Sequence, residues 1–114
     1  MKIILDTNFL INCAKFHIDY TEQLKEHEIY TLDAVIAELE KLINQKKAKH
    51  AKLALQILRQ KQIKIINSKV SNVDSALVGL KNYAVATADK ELKKRLEGKK
   101  IFVIRQKKYI EEIK

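Results

Sequence analysis

The feature that most restricts this chain is an alternation of two periods. Five short β-prone runs, Lys2–Leu5, Ile29–Leu32, Ile63–Ile66, Ala84–Thr87 and Ile101–Ile104, are each too short for a helix. Between them lie stretches with helical spacing. Ala34–Gln45 carries Val35, Ile36, Leu39, Leu42 and Ile43 on one face, and Ala48–Gln60 repeats Ala51, Ala54, Leu55 and Leu58. Val73–Asn82, Asp89–Glu97 and Gln106–Ile113 complete the helical set, with Gly98 as a helix stop before the fifth strand. Strands that alternate with helices form a parallel sheet covered on both faces. The expected fold class is α/β, a single α/β/α sandwich around a central, parallel, five-stranded sheet.

A chain of 114 residues suits one core, and it holds no proline, low-complexity linker or internal repeat at which to divide it. Residues 1–114 are therefore expected to be a single domain. The longest unbroken apolar runs, such as Ala34–Ala37 and Ile101–Ile104, have four residues. About 18 are needed to span a bilayer, so no membrane is expected as a partner. One lysine and three apolar residues before Asp6 do not make a secretory signal, and the expected location is cytoplasmic. Cys13 is the only cysteine, which rules out an internal disulfide and a cysteine-rich zinc site and leaves it as a small buried hydrophobe. Gly79 and Gly98, the only glycines, cannot build a P-loop or a dinucleotide fingerprint.

Charge is unevenly spread along the chain. Residues 1–40 carry three lysines and eight acids, whereas residues 41–114 carry twenty basic residues and six acids. From Lys41 to Val73 there are nine basic residues and no acid. Such a block fits a polyanion partner or, equally, a solvated helix face. Few aromatic residues accompany the lysines, so base stacking is a weak contribution.

In open parallel sheets ligands bind beyond the carboxyl ends of the strands. Asp6 stands at such an end in KIILDTNFLIN, and Asp89 stands two residues after Thr87 in AVATADKEL. Glu38 lies beside the apolar stripe of its helix, and Asp74 in the first turn of another. Three of these acids have structural explanations. Ser71 and Asp74 fit a capping box with Ser71 at the N-cap, Asp89 suits a helix N-terminus, and Glu38 could pair with Lys41. Asp6 is harder to dismiss, because an acid at the end of a central strand is partly desolvated and has no partner in the sequence around it. It needs a cation. Oxygen ligands suit Mg²⁺ or Mn²⁺ rather than zinc, and His17, His27 and His50 have no metal-ligand spacing. A hard metal on an acidic cluster near a lysine-rich surface is what hydrolysis of a nucleic-acid backbone requires.

Four stretches in order, ILDTNFLI, VIAELEKL, NVDSALVGL and VATADKELKKRL, resemble the PIN-domain ribonucleases, over a span from Met1 to about Tyr109. The resemblance implies a PIN-like sandwich whose acids bind Mg²⁺ or Mn²⁺, a metal-dependent endoribonuclease acting on single-stranded RNA. It makes Asp6, Glu38, Asp74 and Asp89 the metal site, with Asn8 and Thr87 orienting carboxylates or the attacking water. The RNA backbone is expected to follow Lys41, Lys46, Lys47, Lys49 and Lys52, or else Lys90, Lys93, Lys94 and Arg95. A second copy of the chain, in a homodimer, is the other expected partner. Two biological settings share this chemistry. The basic tail VIRQKKYIEEI looks like archaeal relatives of the small-subunit processome nuclease, in ribosomal RNA processing; a VapC-type toxin, with an antitoxin partner, is the alternative. An RNA-binding PIN scaffold without catalysis is the reading from another class, and four mutually repelling carboxylates argue against it. A haloacid-dehalogenase phosphatase would need a second aspartate where Asn8 stands, and a response-regulator receiver an acidic pair near its first strand.

Overall fold

The computed structural model describes residues 1–68, 72–96 and 98–113. Its strands are β1 (Lys2–Leu5), β2 (Glu28–Leu32), β3 (Lys64–Ile66), β4 (Ala84–Ala86), β5 (Ile101–Arg105) and β6 (Tyr109–Ile113). Its helices are α1 (Thr7–Lys15), α2 (Tyr20–Gln23), α3 (Asp33–Asn44), α4 (Ala51–Gln60), α5 (Val73–Gly79) and α6 (Lys90–Arg95). The sheet order is β3-β2-β1-β4-β5-β6. The first five strands run parallel. Ile3, Ile4 and Leu5 are all fully buried, and since successive strand residues point to opposite faces, both faces of β1 are covered. Phe9 and Leu10 of α1, Val35 and Leu39 of α3, Leu77 of α5 and Leu92 of α6 extend this core. The apolar helical context of Cys13 is α1, and the thiol is buried.

The chain moves outward from β1 through β2 to β3, then crosses back to β4 on the other side of β1. Strand order reverses between β1 and β4, and the crevice beyond their carboxyl ends is where α/β sheets of this kind bind ligands. That reversal puts Asp6 and Thr87 side by side, although 81 residues separate them in sequence.

The segment Gln106–Ile113 corrects the expectation of a last helix and adds a sixth strand. β6 pairs antiparallel with β5, Ile101 opposite Ile113 and Arg105 opposite Tyr109. Ile110 and Ile113 have a spacing of three that suits a helix equally well, and pairing with β5 overrides it. Three residues, Gln106–Lys108, join the strands: Gln106 and Lys107 have φ of 54° and 56°, and the Lys108 amide donates to the Arg105 carbonyl at 3.0 Å. Both central residues of this turn are left-handed, as in a type I′ turn, without the Asn-Gly pair that normally announces one. α2 shields part of the resulting edge, because the Gln23 side chain accepts from the Ile110 amide at 2.7 Å and donates to the Lys108 carbonyl at 3.1 Å.

The expected cap of α5 also moves. Asn72 is the N-cap, its side chain accepting from the Ser75 amide at 2.9 Å, so Asp74 lies at the second helical position. Ser71 lies outside the described residues. Gly98 has φ of 87°, in keeping with a stop after α6.

Candidate functional site

β1 ends at Leu5 and α1 starts at Thr7, so a single residue makes the strand-to-helix turn. Asp6 extends the ladder by donating its amide to the Ala86 carbonyl at 3.0 Å, and its carbonyl accepts from the Leu10 amide at 3.1 Å to open α1. Its side chain is the N-cap: Oδ1 accepts from the Thr7 amide at 2.7 Å and Oδ2 from the Thr87 hydroxyl at 2.8 Å. The residue is only 4% exposed. Burial pushes its carboxyl up to about 6; the Thr87 and Thr7 hydrogen bonds pull the other way, and the charges of Asp74 and Glu38 push it further up.

Those charges locate two of the expected residues. Glu38, half-buried on α3, and half-buried Asp74, in the first turn of α5, both act on Asp6 across space. Asp89 is joined by hydrogen bonds instead. Buried Thr87 donates to Asp6, while its oxygen accepts from the Asp89 amide at 3.1 Å. The Asp89 carboxylate caps α6, Oδ1 accepting from the Glu91 and Leu92 amides at 2.9 and 3.3 Å. Asn8, exposed in the first turn of α1, has no hydrogen bond to the four acids among the described residues. The pairing of Glu38 with Lys41 does not form; ion pairs among the described residues involve none of Asp6, Glu38, Asp74 or Asp89. Lys41, Lys46, Lys47, Lys49, Lys52, Lys90, Lys94 and Arg95 are all exposed, with Lys94 3.7 Å from Glu91, and Lys93 is half-buried.

The profile of the PIN like domain family matches residues 3–108. The chain belongs to the PIN-like domain family. A structure of the PIN domain endonuclease Utp24 is 29% identical, with a TM-score of 0.82 over 97% of this chain and 90% of that one. A domain of a functionally unknown protein from Methanocaldococcus jannaschii DSM 2661 shares the fold at 19% identity, with a TM-score of 0.66 and 91% of each chain covered. No curated protein matches the chain.

In this PIN domain the expected acids gather at one sheet edge without closing on one another: among the described residues, no three potential ligands already stand where they could hold a metal. The donor set is oxygen only and, among the described residues, has no cationic side chain paired with it, which fits a hard divalent cation. Mg²⁺ in particular keeps several of its waters and needs only one or two carboxylates.

The sequence signals left two supports of the PIN edge unread. Asp33 follows β2 as Asp6 follows β1, and its Oδ1 accepts from the Ala34 amide, the Ser68 amide and the Ser68 hydroxyl at 2.7–2.8 Å. The Ser68 bonds hold the Asp33 carboxyl below its usual range and tie the segment after β3 to the start of α3. The repeated pattern, an acid directly after a β-prone run, is the signal that could have found it. Thr31, fully buried on β2, donates to the Leu5 carbonyl at 2.9 Å and so steadies the residue before Asp6.

Proposed function

We propose that this chain is a divalent-metal-dependent endoribonuclease that hydrolyses phosphodiester bonds of single-stranded RNA, with Asp6, Glu38, Asp74 and Asp89 as the residues that would hold Mg²⁺ or Mn²⁺. The observation that carries the reading is Asp6: a buried carboxyl at the strand-order reversal, flanked by two further acids and paired with no cation among the described residues. A bound divalent ion supplies an acidified water and positive charge against the phosphate. The protein's own part is orientation. Thr87 and the Thr7 amide hold the two oxygens of Asp6, and the cap of α6 fixes Asp89 beside Thr87. Asn8, exposed one residue into α1, is positioned to meet solvent and would orient the attacking water.

The cytoplasm and ribosomal RNA processing are the setting we adopt. The basic tail VIRQKKYIEEI favours this setting over a toxin, and the likeness to the Utp24 endonuclease covers 97% of the chain. No helix of the described residues is long and apolar enough to cross a membrane. The test is cleavage of single-stranded RNA with Mn²⁺ and with excess chelator. Cleavage that is metal-dependent and lost in Asp6→Asn is expected, while equal cleavage by both proteins would show that these acids are not the active site.

A further inference from the structure

A second feature of the carboxyl edge belongs to none of the residues expected to bind metal. A cleft of about 410 Å³ opens beside β5, lined by Asn12 and Phe16 of the α1 region, Ala88, Lys93 of α6, and Val103–Lys107. Three of its walls are cationic: Lys93, Arg105 and Lys107. Ala88 is also the residue between Thr87 and Asp89, so the cleft borders the acidic site directly. We propose that this cleft binds a phosphate group of the RNA strand close to the scissile bond, a subsite that sets where the strand lies across the acids. The proposal rests on the nuclease reading above.

Like charges stand close together here. The Lys93 ammonium is pulled below its usual range, first by burial and then by the charges of Arg105 and Lys90, with Asp89 opposing. Arg105 is partly neutralised, since its Nε lies 3.0 Å from Glu111 Oε2 on β6. Lys107 packs with its Nζ 5.6 Å from the Phe16 ring centre, and Lys15 stands over the same ring at 5.4 Å. The turn that presents Gln106 and Lys107 is made of two non-glycine residues at positive φ. Such conformations persist only where the surroundings hold them. A phosphate is the ligand these groups match: guanidinium and ammonium donors converge on an anion, and an amide from Asn12 or Gln106 adds neutral donors.

The test is binding of a short, labelled 5′-hydroxyl single-stranded RNA in excess chelator, where cleavage is off, across a salt series. The logarithm of affinity falls with the logarithm of salt by about 0.7 per phosphate contacted on a single strand. Lys93→Gln and Arg105→Gln should each flatten the slope by about 0.7, and Glu111→Gln, which frees Arg105, should tighten binding. Lys64→Gln, on the opposite margin of the sheet, should change nothing. Lys107→Gln, at an exposed turn position, provides a variant whose fold is not in question. A matching loss with a 5′-phosphorylated strand assigns the cleft an internal phosphodiester, and a loss confined to that strand assigns it a terminal phosphate; either supports the proposal. Wild type that cleaves with Mn²⁺ while slopes stay unchanged in the Lys93, Arg105 and Lys107 variants overturns the cleft alone. Wild type that neither binds nor cleaves overturns cleft and nuclease reading together.

Discussion

The carboxyl edge of the sheet is acidic at its centre and basic at its margin, with Ala88 at the boundary. The two regions differ in solvent exposure as well as in the sign of their charge. Asp6 is buried, lies under the influence of two other acids and is pushed up to about 6, so its ionisation opposes folding. Around β5, by contrast, Arg105 and Lys107 are exposed and Lys93 only half-buried, so water screens most of their repulsion. The centre holds charge where it is expensive, which matters only if something binds there to relieve it; the margin holds charge where it is cheap and can serve a long, flexible anion. Moving Asp6 from the usual 3.8 to about 6 corresponds to about 3 kcal/mol of opposed folding free energy above that range.

The largest effect expected is on catalysis. Asp6→Asn keeps the side-chain volume and removes the charge, and cleavage of single-stranded RNA in Mn²⁺ should fall about a hundredfold or more. Charge reduction at the margin should act on affinity and its salt dependence with the cleavage step unimpaired at saturating RNA. A margin variant that lost cleavage at saturation as completely as Asp6→Asn would erase the distinction between the two regions.

A stability measurement sharpens the same contrast. Because the folded-state value of Asp6 lies above its unfolded value, the native protein binds more protons than the unfolded chain between about 4 and 6, and stability falls as pH rises through that window. In chelator, wild type should gain up to about 3 kcal/mol on going from pH 7 to pH 4 from this group alone, a gain that Asp6→Asn lacks. The difference between the two proteins should therefore shift toward wild type as pH falls. Parallel unfolding curves at every pH would show that Asp6 is not ionised against its surroundings.

Thr87→Val should be next in size, at about 1–3 kcal/mol of lost stability, because it leaves the Asp89 amide without its acceptor and Asp6 Oδ2 without its donor. The lost hydrogen bond was one of the two pulling Asp6 down, so the pH window of the unfolding difference should move upward. Thr87→Ser, which keeps the hydroxyl, should restore it. A window that stays in place in Thr87→Val would remove Thr87 from the control of Asp6.

The central region is legible in sequence because its signals are local. A β-prone run ending in an acid, repeated at Asp6 and near Asp89, places carboxylates at strand ends whatever the details of packing, and helical periodicity identifies α3 through α6. Distant partners leave no local mark. Nothing around Thr87 indicates that its hydroxyl bridges Asp6 and the Asp89 amide, and nothing around Asp33 points to Ser68. Chain reversals are hidden for a compositional reason. With only two glycines, the structure uses His17, Lys46 and Gln62 in the left-handed region just after α1, α3 and α4, and Gln106 and Lys107 in the hairpin. The residue that usually marks such positions is missing from all five, so the segment of the last strand reads as a helix.

That hairpin yields the smallest effect and a check on why the margin is built as it is. Left-handed backbone costs an ordinary residue about 1–2 kcal/mol, a cost that asparagine escapes in part, and asparagine is the preferred residue at the first central position of a type I′ turn. Gln106→Asn keeps the amide and the neutral charge while easing φ of 54°. Stability should rise by a few tenths of a kcal/mol, about 1–3 °C in melting temperature for a chain of this size. If the strain at Gln106 holds Lys107 and the longer amide toward the cleft, the more stable protein should bind single-stranded RNA less tightly, since the shorter asparagine side chain reaches less far and the turn is freer to relax. Melting curves and affinity measured on the same preparation decide the matter. A variant that is more stable and binds RNA as well as wild type would mean that the turn's conformation serves only the β5–β6 pairing, and the margin would then owe its ligand affinity to Lys93 and Arg105 alone.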